Sequence, residues 1–535
     1  MQVLPSLGGA IEHEPHVRRR VVLIRPPVVS ARNSYSSPVT PPLALAYLAG
    51  SLRAAGHEVT TIDGLGEAID EVWFHDDPEC RVRGLTIPEI VSRIPANAEL
   101  IGVSCMFSQA WLFVRQLVNA VAERFPGVPL VVGGEHVTAA PEVILETCPA
   151  VGACALGEGE ATVVDLAAYF PEVPERIAGI VYRDPATGQA RRSAGRPRIK
   201  DVSSIPRPAW DLLPLEEYLS RPFASGVNAG RTMPILATRG CPYKCSFCSS
   251  PQMWTQRYYP RPPLEVIEEI EDYIRDYRID CVEFYDLTAI VKKEWVMEFG
   301  TLLKERGLNL TWQLPSGTRS EALDAEVTKL LADTGCRYLV YAAESGSPRM
   351  LKKIHKKVKL PRMVESMRNA KRNGMSLRCN LMIGLPEEER SDAYRTLRFQ
   401  AKLALLGVDD VPLYMFSPYP GSELFKFLQE KGVIGELDDD YFRSLLCQMD
   451  LTTSSSYCEA MSPRELALYR LLGMSTFYGL SYLSRPWRIA RTAKNLLISG
   501  KTDTVFEQRI SEALRRRLTK LRARVRARVR VPVPV

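Results

Sequence analysis

Apolar and polar residues along the 535-residue chain fall into two successive runs of alternating strand and helix patterns. In the first run, short apolar stretches at 21–27, 58–63, 100–106, 128–132 and 151–156 read as strands. Leu43, Tyr47, Leu48 and Leu52 share one helical face over 42–55, and a second helix is predicted over 109–125. This alternation predicts a parallel sheet covered on both faces, a Rossmann-like layer arrangement. Residues 179–183 and 190–193 flank Pro185-Ala186-Thr187-Gly188 and predict a hairpin, and proline-rich 205–213 reads as a surface connector. Alternation resumes at Arg231, with strands predicted at 233–238, 281–285, 310–314, 338–343, 377–383 and 411–416. Helical patterns such as 263–276 and 325–333 lie between them. Six β/α units predict an incomplete parallel barrel with its chemistry at the carboxyl ends of the strands. Beyond it, Ser462-Pro463-Arg464-Glu465 is a helix start that opens an apolar, aromatic C-terminal stretch.

The expected class is therefore α/β. An N-terminal segment (1–18) precedes a Rossmann-like domain (19–170), a hairpin and linker (171–230), a barrel (231–430), a helical domain (431–504) and a basic tail (505–535). A hydrophobic fraction of 46% and a charged fraction of 24% are ordinary for a globular protein, and no run of about eighteen apolar residues predicts a membrane span. The net charge of +7 belongs to the tail, where ten Lys/Arg face two Asp/Glu from Val505 onward, so the body is close to neutral. Twelve cysteines and a polar start without an apolar signal core predict a reducing, cytoplasmic setting.

The candidate chemistry centres on Arg239-Gly240-Cys241-Pro242-Tyr243-Lys244-Cys245-Ser246-Phe247-Cys248. Three thiolates on one short loop can hold three corners of an iron–sulfur cubane and leave one iron open. A structural zinc site needs four donors, but the nearest downstream candidates, Cys281, Cys336 and His355, stand alone. Three unrelated core cysteines fit poorly with the Gly, Pro and Lys of the loop. Cys241-x-x-x-Cys245-x-Phe247-Cys248 resembles the signature of the radical S-adenosylmethionine (SAM) enzymes. That resemblance implies a [4Fe–4S] cluster on Cys241, Cys245 and Cys248 whose open iron binds SAM, and a reductant such as flavodoxin or ferredoxin.

The other barrel strand ends carry polar groups. Arg319 can pair a carboxylate, Glu344 can accept from ribose hydroxyls, and backbone at Gly384 can approach an adenine closely. Glu344-Ser345-Gly346-Ser347 and Ile383-Gly384-Leu385-Pro386 resemble the family's fourth- and fifth-strand motifs, which adds Ser345 to the expected SAM contacts. The G-G-E frequent in the family after the second strand is replaced by Phe284-Tyr285-Asp286. Ser320 with Asp324 reads as a helix cap, and the 416–422 Phe-Ser-Pro-Tyr-Pro-Gly-Ser loop as a stiff barrel closure.

Glycine pairs end the first-run strands, where open sheets bind ligands, although singly they are weak signals. No G-x-G-x-x-G supports a nicotinamide site. Pro41-Pro42-Leu43-Ala44-Leu45-Ala46-Tyr47, Gly56-His57-Glu58-Val59, Gly133-Gly134-Glu135-His136 and Gly157-Glu158-Gly159-Glu160 resemble the cobalamin-binding domain fused to one large radical SAM class. The resemblance implies cobalamin contacts at Ser104, Gly133, Gly134 and Gly157. The D-x-H-x-x-G motif is absent, and His57 and His136 read as residues that orient loops.

These features lead to a cobalamin-dependent radical SAM enzyme, with C-methylation of an unactivated carbon as the expected outcome. Radical cyclisation of the anaerobic tetrapyrrole cyclase type is the alternative, and a cobalamin- or metal-responsive binding protein is a third reading. Cys80, Cys105, Cys148 and Cys154 lack the spacing of the second cluster that methylthiotransferases carry. The aromatic, apolar stretch after Ser462 leans toward a small hydrophobic substrate such as a lipid, tetrapyrrole or other natural product. It also reads as core, substrate lid or membrane-surface patch, and the tail as a solvated segment or one resting on anionic lipid. Nucleic-acid binding lacks the aromatic interleaving it needs.

Overall fold

Residues 18–499 are described by the computed structural model, except 33, 35–38, 76–79, 185, 222–224 and 449–454, together with 507, 510, 511 and 514. The N-terminal segment and most of the basic tail lie outside the described residues.

The first sheet has seven strands: β1 (Arg20–Arg25), β2 (Glu58–Asp63), β3 (Leu100–Ser104), β4 (Leu130–Gly133), β5 (Ala153–Ala155), β6 (Ile180–Arg183) and β7 (Ala190–Arg192). Their spatial order is β7-β6-β5-β4-β3-β1-β2, parallel except where the predicted hairpin β6–β7 adds on antiparallel to β5. The hairpin thus extends the first sheet instead of standing apart from it. Val21 to Ile24 of β1 are at most 3% exposed, as a strand covered on both faces requires. The chain leaves β1 for β2 on one side and then crosses to β3 on the other. The topological switch point, where such sheets bind ligands, lies between the carboxyl ends of β1 and β3. An antiparallel sheet of Val28–Ala31, Cys80–Arg83 and Val72–Phe74, which the hydrophobic pattern does not reveal, lies nearby in sequence.

The second sheet runs β8 (Thr232–Ile235), β9 (Cys281–Phe284), β10 (Thr311–Thr318), β11 (Cys336–Glu344), β12 (Ser376–Ile383) and β13 (Leu413–Met415). All five pairings are parallel and in sequence order, the topology of an incomplete (β/α) barrel. The outer helix Lys293–Glu305 packs on the sheet through aromatic contacts. Phe299 meets Phe284 edge-on at 5.5 Å and Trp312 edge-on at 5.4 Å.

Two strands differ from the pattern reading in ways that matter for the site. The predicted 233–238 strand breaks after Ile235, and Thr238–Arg239 pairs instead with Tyr259–Pro260. The third strand runs on to Thr318, through Gly317 at φ +113°, with a register shift against β11 between Leu314 and Thr318. Such irregularities re-aim side chains at sheet ends. After the barrel, Ser462 caps the helix Pro463–Ser484 by accepting from Glu465 N at 3.3 Å, and a shorter helix, Trp487–Lys494, follows.

Candidate active site

Cys241, Cys245 and Cys248 line one cavity of about 240 Å³ at the carboxyl end of the second sheet. The turn into their loop requires glycine. Gly240 sits at φ +85°, and a Cβ there would lie 2.0 Å from Arg257 O. The loop is anchored by its backbone: Ser246 N donates to Ile354 O (3.1 Å), and Leu424 N donates to Ser246 O (2.8 Å). Burial pushes all three thiols upward, while Lys356 and Arg319 pull Cys241 and Cys245 the other way. Among the described residues, no three His, Cys, Asp or Glu side chains converge tightly enough for a single metal ion. Three thiols around one cavity suit a larger cluster, whose corners stand farther apart.

Arg319 and Glu344 face the same cavity. Arg319 stacks 3.8 Å over the Tyr243 ring and pairs with Glu321 at 3.2 Å, so a loop residue between two cysteines orients it. Glu344 ends β11 at φ +69°, just past a register shift against β12. A non-glycine residue held there signals local strain at a functional position. Its Oε1 accepts from Lys356 Nζ at 2.9 Å. Burial works against the Lys356 charge, but Glu344 outweighs it and holds the ammonium above its ordinary range. Two hydroxyls that line the cavity, Thr288 Oγ1 and Ser320 Oγ, are buried and have no hydrogen-bond partner among the described residues. A buried hydroxyl left unpaired is costly, so a polar ligand fits this cavity. Ser320 is therefore not the expected cap. Asp324 alone caps the next helix, accepting from Val327 N at 2.9 Å.

Other predicted residues lie elsewhere. Ser345 is fully buried, and its hydroxyl meets Thr396 Oγ1 and Ser347 N, each at 3.1 Å, which ties the strand end to a neighbouring helix. Gly384, at φ +84°, packs against Leu466, and its N–H donates to Glu388 at 2.6 Å. Asp286, the acidic residue in place of the missing motif, accepts from Thr238 Oγ1 (2.5 Å) and Ala237 N (3.2 Å) beneath the cysteine loop. Burial pushes its carboxyl up to about 6.

A second cavity, of about 340 Å³, opens at the switch point of the first sheet. Ser104, Gly133, Gly134 and Gly157 all line it, together with apolar side chains including Leu23, Leu48 and Met106. Gly134 has φ +124°, and a Cβ would lie 2.5 Å from Cys105 O. Gly157 has φ +68° and faces nearly open space. This glycine-lined, largely apolar cradle suits a broad, flat group such as cobalamin. Leu287 borders this cavity and the cysteine cavity alike, so the two adjoin.

The motif residues beside the glycines hold the two sheets together. Glu135 accepts from the hydroxyl of Ser249, next to Cys248. Arg239 pairs with Glu160 at 2.5 Å and Glu158 at 3.3 Å, and lies over the Tyr47 ring at 5.4 Å. His136 does not line the cavity. It packs between Trp111 and Phe442, contacts Ser108 Oγ at 2.9 Å, and burial pulls it down to about 3, which keeps it neutral. His57 accepts from Arg19 N at 3.3 Å. Neither histidine lines the cavity.

Cys245 and Cys248 also border a third cavity, of about 350 Å³. Lys244, Glu423 and Lys426 stand exposed at its rim.

Fold and site together define a class: a SAM-type cysteine cavity on a parallel barrel, set against a cobalamin-type cradle at a sheet switch point. Family comparisons agree, with a radical SAM superfamily match over residues 235–399 and a B12 binding domain match over residues 33–167. An uncharacterized methyltransferase of Pyrococcus horikoshii is 31% identical over 411 residues, 76% of this chain and 83% of that protein. An anaerobic magnesium-protoporphyrin IX monomethyl ester cyclase of Rubrivivax gelatinosus is 26% identical, over 73% of this chain and 67% of its own length. Among solved structures, the cobalamin-dependent SAM radical enzyme OxsB with aqua-cobalamin bound superimposes with a TM-score of 0.65 at 16% identity, covering 93% of this chain and 75% of that one. The chain belongs to the cobalamin-dependent radical SAM enzymes, whose cofactors are a [4Fe–4S] cluster, SAM and cobalamin.

Proposed function

We propose that this enzyme methylates an unactivated carbon of a small, largely apolar substrate. The observation that carries the reading is that the two cavities share Leu287 in their linings, which sets the SAM side next to the cobalamin side. When bound, the reduced cluster supplies the electron that cleaves SAM to methionine and a 5′-deoxyadenosyl radical, and cobalamin supplies the methyl group.

The chain's own residues position the reactants. Cys241, Cys245 and Cys248 hold the cluster. Arg319, fixed on Tyr243, pairs with the SAM carboxylate, and Glu344 accepts from the ribose hydroxyls once ligand competes with Lys356. Thr288 and Ser320 supply the remaining hydrogen bonds. Ser345 and Gly384 act at one remove: one pins the end of β11 and the other shapes the turn after β12. Ser104, Gly133, Gly134 and Gly157 bring backbone close to the cobalamin face. An acidic electron-transfer protein of the flavodoxin or ferredoxin type docks at the third cavity, where Lys244 and Lys426 outnumber Glu423 and favour a negative partner.

Radical cyclisation is the second reading, because a cyclase is among the relatives. One experiment separates the two. Protein reconstituted with iron, sulfide and cobalamin is incubated anaerobically with SAM, a strong reductant and cell extract as the substrate source, and its products are quantified by mass spectrometry. Methylation yields 5′-deoxyadenosine and S-adenosylhomocysteine together. 5′-Deoxyadenosine alone, with cobalamin bound, favours cyclisation, and neither product from fully loaded protein overturns both readings.

A further inference from the structure

The last C-terminal helix is amphipathic in an inverted sense. On Trp487–Lys494, two of the three charged side chains turn inward. Arg488 is 6% exposed and pairs with Asp409 at 2.8 Å, and Arg491 pairs with Glu507 at 3.6 Å. Just before this helix, Arg485 donates to Ala404 O (3.1 Å) and Leu405 O (2.9 Å) at the end of a barrel helix. The apolar side chains turn outward instead: Trp487 is 62% exposed, Leu497 80% and Ile498 81%. The long helix before it also exposes large apolar residues, although its inner face is mainly apolar. Its inner face holds Leu466, Arg470, Gly473 and Phe477, while Leu471 and Leu483 are 64% and 81% exposed.

Between residues 464 and 498, 17 positions are exposed; eight are large apolar residues and none is acidic. Those eight are nearly half of the 17 large apolar side chains exposed among the described residues. The outward charges, Arg464 and Lys494, are both positive. Scattered surface leucines need no explanation, but a contiguous apolar face rimmed by charge marks an interaction site. Charge selects the occupant. Residues 515–535, which follow this region in sequence, carry nine Lys/Arg and no Asp/Glu. Apolar side chains with a Trp on one face, cations beside them and no acidic residue match an anionic lipid surface. Among the described residues, no helix is long and apolar enough to cross a membrane. The contact is therefore with the interface.

We infer that this face lies on an anionic bilayer, inserting Leu483, Trp487, Leu497 and Ile498 at headgroup depth. The inference stands apart from the methylation reading, since it needs neither cofactor. The test is flotation of full-length, cofactor-loaded protein with vesicles of phosphatidylcholine alone or mixed with phosphatidylglycerol. The wild type is expected to float with the mixed vesicles and much less with the neutral ones, and to lose binding as salt rises. Leu483→Glu combined with Leu497→Glu alters only exposed positions, so its melting temperature should match the wild type while vesicle binding falls at least tenfold. Removing residues 515–535 should weaken the preference for anionic lipid and leave the fold intact. No flotation of the wild type, or flotation unchanged in the double variant, overturns the inference. So does a wild-type dimer that becomes monomeric in the double variant without either floating, which would assign the face to a second copy of this chain.

Discussion

Arg239, two residues ahead of the first cluster-loop cysteine, pairs with Glu160 of the Gly157-Glu158-Gly159-Glu160 motif at 2.5 Å. Both side chains are at least nine-tenths buried. Glu160 is held below its ordinary carboxyl range, since Arg239 outweighs the effect of burial. The bond joins the cysteine loop to the cobalamin-side cradle. Arg239→Met would leave Glu158 and Glu160 facing each other with one cation fewer. Breaking a buried ion pair costs about 3–5 kcal/mol. Thermal unfolding should show a loss of that order, and cobalamin retained after gel filtration should fall. A variant within about 0.5 kcal/mol of wild type, the range of ordinary surface changes, would mean the pair does not join the two halves.

Cys245→Ala removes one of three thiols from the cavity. Iron and sulfide per chain should drop sharply after reconstitution, and 5′-deoxyadenosine should disappear, while cobalamin binding persists because Cys245 does not line the cradle. A variant that still cleaves SAM would refute the assignment of this loop. Gly240→Ala should likewise lose the cluster, for a different reason. Its new methyl group would meet Arg257 O and require a backbone at φ +85°, so the loop cannot close as it does now.

The two thiol-free cavity hydroxyls give a subtler prediction. Ser320 Oγ and Thr288 Oγ1 have no partner among the described residues. Ser320→Ala and Thr288→Val should therefore leave stability unchanged or slightly raised, because each relieves an unpaired buried group. SAM affinity should weaken by about 1 kcal/mol per lost hydrogen bond, roughly fivefold. Equilibrium binding of SAM to the loaded protein checks this, and unchanged affinity in both variants would place the ligand elsewhere in the cavity.

How much of this site could be read from sequence depends on the range of each interaction. The cysteine loop was legible because its ligands sit within eight residues. Arg319 and Glu344 were legible because parallel strands bring their carboxyl ends together, so residues just after a strand share a rim. Ser345 has the same address, but its hydroxyl is consumed by Thr396, 51 residues away, and no local pattern shows that. Lys356 and the Arg239–Glu160 pair were missed for the same reason, although a lysine twelve residues past Glu344 was a signal that could have been weighed. The seven-stranded sheet was largely legible from its apolar runs. The added antiparallel sheet was not, since two of its strands hold the polar or charged residues Ser30, Arg81 and Arg83. For the C-terminal helices, periodicity reveals two faces but not which one turns inward. That is decided by Asp409 and the carbonyls of 404 and 405, far away in sequence.

Glu388 offers a test through pH. It is fully buried beneath the turn after β12, with Oε2 accepting from Gly384 N (2.6 Å) and Leu385 N (3.1 Å). Burial pushes its carboxyl up to about 7, from an ordinary value near 4.5. Below about 4.5 both folded and unfolded chains hold this proton. Between 4.5 and 7 the unfolded chain gives it up first, so the native state binds more protons and stability falls as pH rises. Above 7 the contribution is flat. Glu388→Gln keeps an oxygen for the two N–H donors and has no proton to lose, so it should remove this downward slope and gain on the wild type as pH climbs from 4.5 to 7. His136, pulled down to about 3 by burial, works with the opposite sign below its ordinary value of 6.5, where the unfolded chain binds the extra proton. The buried carboxyls of Asp286 and Glu283, pushed up to about 6 and about 7, act in the same window as Glu388, so the wild-type profile mixes several groups, and the difference between wild type and Glu388→Gln isolates the Glu388 carboxyl. Melting temperatures taken across pH 4.5 to 8 should show the gap widening in favour of the variant. A gap that stays constant would mean that Glu388 is ionised in the folded protein throughout that range.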